Sequence, residues 1–377
     1  MTRRIKRTMA LCLGSAACLA MTAGPSSGQP AAPVGGSELA GHGVAVNYPP
    51  HGAQALPYIP ASAYVVADAG TGQVLAAKDP HGQFGPASTL KVLTAVTLMP
   101  VLNPNMTVVA SAKAANVTPS KVGLIAGDSY RVSDLFKALL MISANDAAIA
   151  LADATGSYAK AITMMNAEAH HLQADDTVAK TPNGLNRAGQ HTSAYDEALI
   201  ARQALAVPGL MQDEAIRVTT FPVKPHHKPV TLWNQNTMLE TYPGDLGGKI
   251  GWTTDTKTTF IGWARRGGHT LIVTMLHMRP LTELVYAAKL LDWGFAMDGR
   301  VRPAGYLVRP LSATPTHRKA GAAAVPAATP VRPGSALGSP ADPLTVPLAI
   351  GLVVALVTVV VAARLSARRQ PRARSPR

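Results

Sequence analysis

Cysteine is nearly absent from this chain: two of its 377 residues are cysteines, Cys12 and Cys18. Both lie in a segment that we predict to be an export signal removed on secretion, so the mature protein would contain none. This excludes disulfide bonds, cysteine nucleophiles and cysteine-ligated metal sites. The chemistry of the protein must therefore come from other side chains.

Acidic residues are scarce at the two ends of the chain. Residues 1–30 carry four basic side chains and no acid, and residues 311–377 carry nine basic side chains and one acid. The ends thus supply +12 of the net charge of +14, whereas residues 31–310 have 22 basic and 20 acidic side chains. A nucleic-acid-binding protein would need a basic stripe on its folded body. We therefore expect no nucleic-acid partner.

The N-terminus has the organisation of an export signal. Four basic residues between positions 3 and 7 precede the apolar run Met9–Ala23, and small and turn-forming residues follow it. This run of 15 residues is short for a full membrane span. The order of segments predicts a cleaved signal peptide at residues 1–24. A flexible segment, residues 25–55, is expected to follow it.

The C-terminus resembles a membrane anchor. Leu344–Ala363 is 20 residues long and uncharged, and a helix of this length reaches about 30 Å, the thickness of a bilayer core. Six arginines follow in residues 364–377, which places that tail in the cytoplasm. Residues 311–343 are rich in proline and alanine and are expected to form a linker. We predict a single-pass protein of the cell membrane with an extracytoplasmic body.

The remaining residues, 56–310, are long enough for one folded domain. Ala63–Ala77 has the residue alternation of a strand on both sides of a glycine-containing turn. Residues 258–276 likewise contain two β-rich stretches separated by a glycine-containing turn. These patterns predict two β-hairpins. Apolar periodicity predicts helices at Ser88–Met99, Tyr130–Leu151, Tyr158–Leu172, Ala194–Ala206 and Thr282–Phe295. Strands from both ends of the domain would share one sheet. The prediction is an α+β fold with an antiparallel sheet flanked by helices.

The first candidate motif is Ser88-Thr89-Leu90-Lys91, at the predicted start of a helix. Residues three apart share a helix face, so the lysine amine would lie beside the serine hydroxyl. A serine becomes a good nucleophile when a base takes its proton. A lysine serves as that base only if its pKa falls from about 10.4 to about 7, which burial or a nearby cation achieves. Taken alone, this spacing also occurs by chance on solvated helices.

Two further short motifs follow in the chain. Ser143-Ala144-Asn145 ends an apolar stretch, where a hydroxyl and an amide would relay a proton and hold a substrate amide, or merely cap a helix. Lys249-Ile250-Gly251 follows two glycines. A lysine at a strand edge there would attract a carboxylate, although a surface lysine in a turn has the same sequence.

The order of the three motifs, Ser-x-x-Lys, Ser-x-Asn and Lys-x-Gly, is typical of penicillin-recognising serine enzymes. The chain resembles the D-alanyl-D-alanine carboxypeptidases, specifically the actinobacterial type with a C-terminal membrane anchor. The resemblance extends over most of residues 60–300 and includes Thr181-Pro182-Asn183-Gly184-Leu185. It implies a β-lactamase/transpeptidase-like fold with a mostly helical subdomain. Residues 56–310 would then be the catalytic domain.

The resemblance also implies roles for the matching residues. Ser88 would be acylated, with Lys91 as the base, while Ser143 and Asn145 assist proton transfer and substrate binding. The substrate-binding residues would be Lys249, Gly251, Trp252 and Thr253, and the backbone amides of Ser88 and Trp252 would form the oxyanion hole. The expected partners are a peptidoglycan stem peptide ending in D-Ala-D-Ala, and β-lactams as acylating inhibitors. No metal and no cofactor are expected.

One departure from the family pattern concerns the third motif. The family usually has threonine where this chain has Ile250, and Thr256-Lys257 replaces the usual Ala-Gly. Losing a hydroxyl donor to a carboxylate costs about 1.5–3 kcal/mol, which predicts activity lowered about ten- to a hundred-fold.

Three alternative functions follow from these motifs. They are a weakly active or non-catalytic penicillin-binding wall scaffold, a β-lactamase, and an endopeptidase acting on cross-links.

Overall fold

The computed structural model describes residues 33–222 and 229–312. Its strands are β1 (Val44–Ala45), β2 (Ala63–Asp68), β3 (Gln73–Lys78), β4 (Thr107–Val109), β5 (Ser129–Arg131), β6 (Val218–Phe221), β7 (Val230–Trp233), β8 (Asp245–Thr253), β9 (Lys257–Arg266), β10 (His269–Met278) and β11 (Gly305–Tyr306). Its helices are α1 (Leu90–Leu98), α2 (Ala112–Ala115), α3 (Val132–Met141), α4 (Asn145–Asp153), α5 (Tyr158–His171), α6 (Ala194–Ala204), α7 (Leu210–Glu214), α8 (Met238–Thr241) and α9 (Glu283–Met297).

The main sheet is antiparallel and has the strand order β1-β3-β2-β10-β9-β8, with β11 also paired to β3. Strands from both ends of the domain therefore meet at its centre, where β2 pairs with β10. The pairs β4–β5 and β6–β7 form two small separate sheets. The predicted α+β fold and both predicted hairpins are confirmed. β8 lies at the edge of the main sheet, which leaves one side of this strand open.

Helices cover both faces of the sheet, and the alternation of side chains along β2 shows how. Val65 belongs to an apolar cluster that includes residues of α6, and Val66 belongs to a second cluster that includes residues of α9. Successive side chains of a strand point to opposite faces. Every residue of β2 is consequently buried, as expected for a strand between two helical layers.

The folded domain begins earlier than predicted, because part of the segment expected to be flexible, residues 25–55, is packed on it. β1 pairs with β3, and Leu39 is fully buried. The Gln54 carbonyl accepts a hydrogen bond of 2.9 Å from the indole of Trp293. Apolar burial and strand pairing hold residues 33–55 in place, and the two-residue strand was too short for periodicity to reveal.

The predicted helix Tyr130–Leu151 is also wrong in one respect: it is two helices preceded by a short strand. Tyr130 lies in β5, and α3 ends before Ser143, whose φ of 63° is left-handed. α4 then begins at Asn145. Apolar periodicity continues through the break, so the sequence pattern does not show where the axis changes direction.

Several predicted segments lie outside the described residues. These are the signal peptide at residues 1–24, most of the linker at residues 311–343, the anchor at residues 344–363 and the tail at residues 364–377. Among the helices that the structure does describe, none has the length and apolarity needed to cross a bilayer.

Candidate active site

Ser88 lies in a tight 3-10 turn, Ala87–Thr89, that leads directly into α1. The turn is held from beneath by Thr89, whose hydroxyl donates to the Pro86 carbonyl at 2.6 Å and also contacts the buried carboxyl of Glu197. Burial raises the pKa of Glu197 well above its ordinary value. The Thr89 hydroxyl thus has two acceptors, the Pro86 carbonyl and the Glu197 carboxyl. Ser88 therefore lies in a turn that buried hydrogen bonds hold in place.

Lys91 lies one turn along, and its amine is fully buried beneath the serine. The Lys91 Nζ atom is 2.8 Å from Ser88 Oγ, 2.8 Å from Asn145 Oδ1 and 2.6 Å from the Asn183 carbonyl oxygen. Burial is the main cause that lowers the pKa of Lys91 well below its ordinary value, and the positive charge of Lys249 lowers it further.

An uncharged amine at this position satisfies all three contacts. It has two N–H groups and one lone pair. In this uncharged form the two N–H groups would donate to the Asn145 and Asn183 oxygens, and the lone pair would accept the Ser88 hydroxyl proton. This is the geometry of a base in contact with its nucleophile.

Asn145 links this pair to the second predicted motif. Its amide group donates to the Thr118 carbonyl at 2.8 Å, which fixes its oxygen towards Lys91. Ser143 lies two residues earlier and is 5% exposed. Within the described residues the Ser143 hydroxyl makes no hydrogen bond, so its predicted part in proton transfer stays a prediction.

The third motif lies on the edge strand β8, which approaches the nucleophile closely. A Cβ atom on Gly251 would be 2.6 Å from the Ser88 backbone nitrogen and 2.3 Å from Thr259 Oγ1. Any side chain here would push β8 away from the serine. Gly251 therefore allows the strand to lie against the Ser88 turn, which places the edge of the sheet beside the nucleophile.

Lys249 is buried on β8, and its Nζ atom donates to the Ile250 carbonyl at 2.7 Å. Trp252 is 55% exposed. The Thr253 hydroxyl is engaged within the protein: it donates to Asn186 Oδ1 at 2.9 Å and accepts from the Thr256 N–H at 3.0 Å. Among the predicted substrate-binding residues, Gly251 lies against the Ser88 turn, and Thr253 joins β8 to the loop that follows Asn183.

That loop contributes contacts that motif spacing alone did not assign. The Asn183 carbonyl contacts Lys91, and Gly184 has a φ of +81° with its α-carbon pressed against the Ala87 carbonyl. A Cβ atom on Gly184 would lie 1.6 Å from that oxygen. The family resemblance includes this loop, Thr181-Pro182-Asn183-Gly184-Leu185. The structure shows that the loop contacts Lys91 through a backbone carbonyl, that of Asn183.

A three-residue group of possible metal ligands lies elsewhere. Asp68, His269 and Asp298 each present one ligand atom within 4.8 Å of the others. His269 Nδ1 is 2.7 Å from Asp298 Oδ2 and 3.6 Å from Asp68 Oδ2, so the imidazole lies between the two carboxyl groups. None of the predicted catalytic residues belongs to this group.

Comparison with known proteins shows which proteins this chain is similar to. Residues 51–279 match the peptidase S11 family of D-alanyl-D-alanine carboxypeptidases. The D-alanyl-D-alanine carboxypeptidase DacB2 of Mycobacterium tuberculosis is 38% identical over 255 residues, which cover 66% of this chain and 87% of that protein. DacF of Bacillus subtilis is 28% identical over 248 residues, covering 63% of this chain and 62% of that protein.

Solved structures agree with the sequence comparison. The crystal structure of a D-alanyl-D-alanine carboxypeptidase from Mycobacterium tuberculosis superposes with a TM-score of 0.64 at 37% identity, covering 70% of this chain and 99% of that one. A mutant of a Streptomyces DD-transpeptidase gives a TM-score of 0.61 at 26% identity, covering 64% of this chain and 99% of that one.

Proposed function

The chain belongs to the D-alanyl-D-alanine carboxypeptidase family, and we propose that it removes the terminal D-alanine from peptidoglycan stem pentapeptides through an acyl-enzyme on Ser88. The observation that carries the proposal is the contact of 2.8 Å between the Ser88 hydroxyl and a fully buried lysine amine. The family membership supplies the substrate class.

Acylation begins with proton transfer from Ser88 to Lys91. The serine oxygen attacks the carbonyl carbon of the penultimate D-alanine, and the oxyanion that forms is stabilised by the backbone N–H groups of Ser88 and Trp252. Collapse of this intermediate breaks the peptide bond, and the leaving amine takes the proton from Lys91. Donors aimed at a developing oxyanion in a dry site are usually the largest single contribution to such a reaction.

Deacylation uses water in place of the amine. Lys91 accepts a proton from the water as it attacks the ester, and Ser88 recovers its proton when the ester bond breaks. Lys91 is held in place by Asn145 and Asn183 throughout. The same base thus serves both half-reactions.

Substrate orientation depends on the terminal carboxylate. We assign its attraction to Lys249, with Ser143 and Asn145 binding the peptide from the opposite side of the cleft. Ile250 offers no hydroxyl to that carboxylate, and this favours slow turnover over fast turnover. A penicillin-binding scaffold with little turnover is accordingly the second candidate function.

We further propose that the enzyme acts outside the cytoplasmic membrane, tethered by residues 344–363. The support is the sequence: an export signal at residues 1–24, an uncharged run of anchor length, and an arginine-rich tail. A peptidoglycan substrate requires the same compartment. β-Lactams are the expected inhibitors, since they acylate the serine of such enzymes.

The function is tested by release of D-alanine from a stem pentapeptide by the purified full-length protein. Ser88→Ala should abolish release, whereas Ser133→Ala, a serine on α3 outside the site, should leave it unchanged. Stable acylation by benzylpenicillin without D-alanine release would favour the scaffold. Rapid hydrolysis of penicillin would indicate a β-lactamase instead.

A further inference from the structure

A fully buried carboxylate lies behind β8 and has no part in the mechanism above. Glu214 ends α7 and is 0% exposed. Neither of its carboxylate oxygens has a partner that meets hydrogen-bond geometry within the described residues. A carboxylate in this situation is normally paired, since burying an isolated charge is costly. The residues packed around Glu214 therefore indicate its role.

Glu214 faces the same side of β8 as Lys249. A Cβ atom on Gly247 would lie 2.7 Å from the Glu214 Cβ atom, so the glycine lets the side chain lie directly on the strand. Residues two apart on a strand share a face, so Lys249 points to the side on which Glu214 rests. The Asn234 amide donates to the Glu214 carbonyl at 3.0 Å and to the Ile216 carbonyl at 2.9 Å, which fixes the end of α7.

Lys249 is a buried amine that needs a nearby negative charge in order to stay protonated. It is 1% exposed, and the Ile250 carbonyl is its hydrogen-bond acceptor. Burial lowers its pKa, and the charge of Glu214 opposes that shift. In the described part of the chain no carboxylate oxygen lies within 4.0 Å of the ammonium, so Glu214 acts on Lys249 through its charge and not through a direct salt bridge.

We propose that Glu214 is a positioning residue: its carboxylate is the buried counter-charge that keeps Lys249 cationic, and hence able to attract the carboxylate of the substrate. The inference rests on the proposed function, because it assigns Lys249 a substrate carboxylate. The Lys249 charge also lowers the pKa of Lys91, so the same counter-charge favours an uncharged base.

Two other acidic side chains lie near Glu214. Asp245 approaches it from β8 and Asp213 from α7 itself, and both oppose its ionisation. Asp245 accepts a hydrogen bond from Asn236 at 2.8 Å, and Asp213 lies near Asp134 and Lys137 of α3. Burial is the main cause that raises the pKa of Glu214 to about 7, and the positive charge of Lys249 and the Gly248 backbone N–H both oppose that shift. The pair Glu214–Lys249 is thus the favourable one.

The test compares Glu214→Gln with Glu283→Gln in the full-length protein, measuring kcat and KM for a stem pentapeptide between pH 5 and 10. Burial lowers the pKa of Lys249 to about 8, and without its counter-charge this pKa should fall by about one unit further. The alkaline fall in kcat/KM should then begin at lower pH, with an about fivefold loss at pH 8 that approaches about tenfold at higher pH and is carried mainly by KM. Glu283→Gln, the matched control, also replaces a buried glutamate but lies on α9, and it should keep the wild-type limb.

An alkaline limb of Glu214→Gln that coincides with the wild type would overturn the proposal, and so would a loss of kcat that is equal at every pH. The unaltered protein provides a second measurement, in case the variant does not fold. With ¹³C-labelled lysine, the resonance lost in Lys249→Arg must be that of an ammonium at pH 7.5, and a neutral amine there would refute the inference. Inactivity of the wild type itself would instead refute the proposed function.

Discussion

Ile250 occupies the position on β8 where the family resemblance predicts a threonine whose hydroxyl binds the carboxylate of the substrate. It is half-buried, and its carbonyl accepts the hydrogen bond from the Lys249 ammonium. We predict that Ile250→Thr raises activity, because the threonine hydroxyl gains a hydrogen bond to a charged group. Such a bond contributes about 1.5–3 kcal/mol, which corresponds to an about ten- to a hundred-fold increase in kcat/KM.

The matched control is Ile250→Val, which has the shape of threonine and no hydroxyl. Both variants remove part of a half-buried side chain from the apolar cluster around α9, so both should lose about 1 kcal/mol of stability. The assay is D-alanine release from a stem pentapeptide at several concentrations. If Ile250→Thr is no faster than Ile250→Val, the absent hydroxyl does not limit this enzyme, and the reasoning about the third motif is wrong.

Three further predictions concern other parts of the domain. Lys91→Met should lower acylation by benzylpenicillin about 100- to 10,000-fold, because the base is lost; an unchanged rate would exclude Lys91 as that base. Gly184→Ala should misplace the Ser88 turn and lower activity about a hundredfold. Its control, Gly189→Ala, is also at positive φ but free of backbone clash, and it should remain active. Equal activities of the two variants would contradict this prediction. Burial raises the pKa of Asp196 to about 8, so the folded state holds a proton that the unfolded state releases above about pH 4. The stability of the folded state should therefore fall as pH rises from about 4 to 8, and Tm should fall less over this range in Asp196→Asn. Curves of Tm against pH that run parallel in the wild type and the variant would contradict this prediction.

Much of the fold was predictable because its elements are regular. The two hairpins and the helices α1, α5, α6 and α9 follow from alternation and apolar periodicity, and their observed bounds differ from the predicted ones by a few residues. The pairing of β2 with β10 places the two hairpins in one sheet, as predicted. The break at Ser143 could not be predicted, since the apolar pattern of α3 continues into α4.

The candidate site was predictable in part. The spacing of Ser88 and Lys91 on one turn predicted their contact, which the structure shows at 2.8 Å. The Asn183 carbonyl gave no signal, since every residue has one. The sequence motifs assign no role to Glu197 or Glu214, and only tertiary packing shows that both are buried. Buried acids beside a reactive centre depend on long-range contacts, which periodicity along the chain does not record.

The central claim is that Ser88 is a nucleophile activated by an uncharged lysine. Mass spectrometry of the full-length protein after incubation with benzylpenicillin tests it most directly, with Ser88→Ala as the control. We predict a mass increase of one penicilloyl group, located on the peptide that contains Ser88 and absent from the variant. An unmodified wild-type protein, or a penicilloyl group that persists in Ser88→Ala, would contradict the claim.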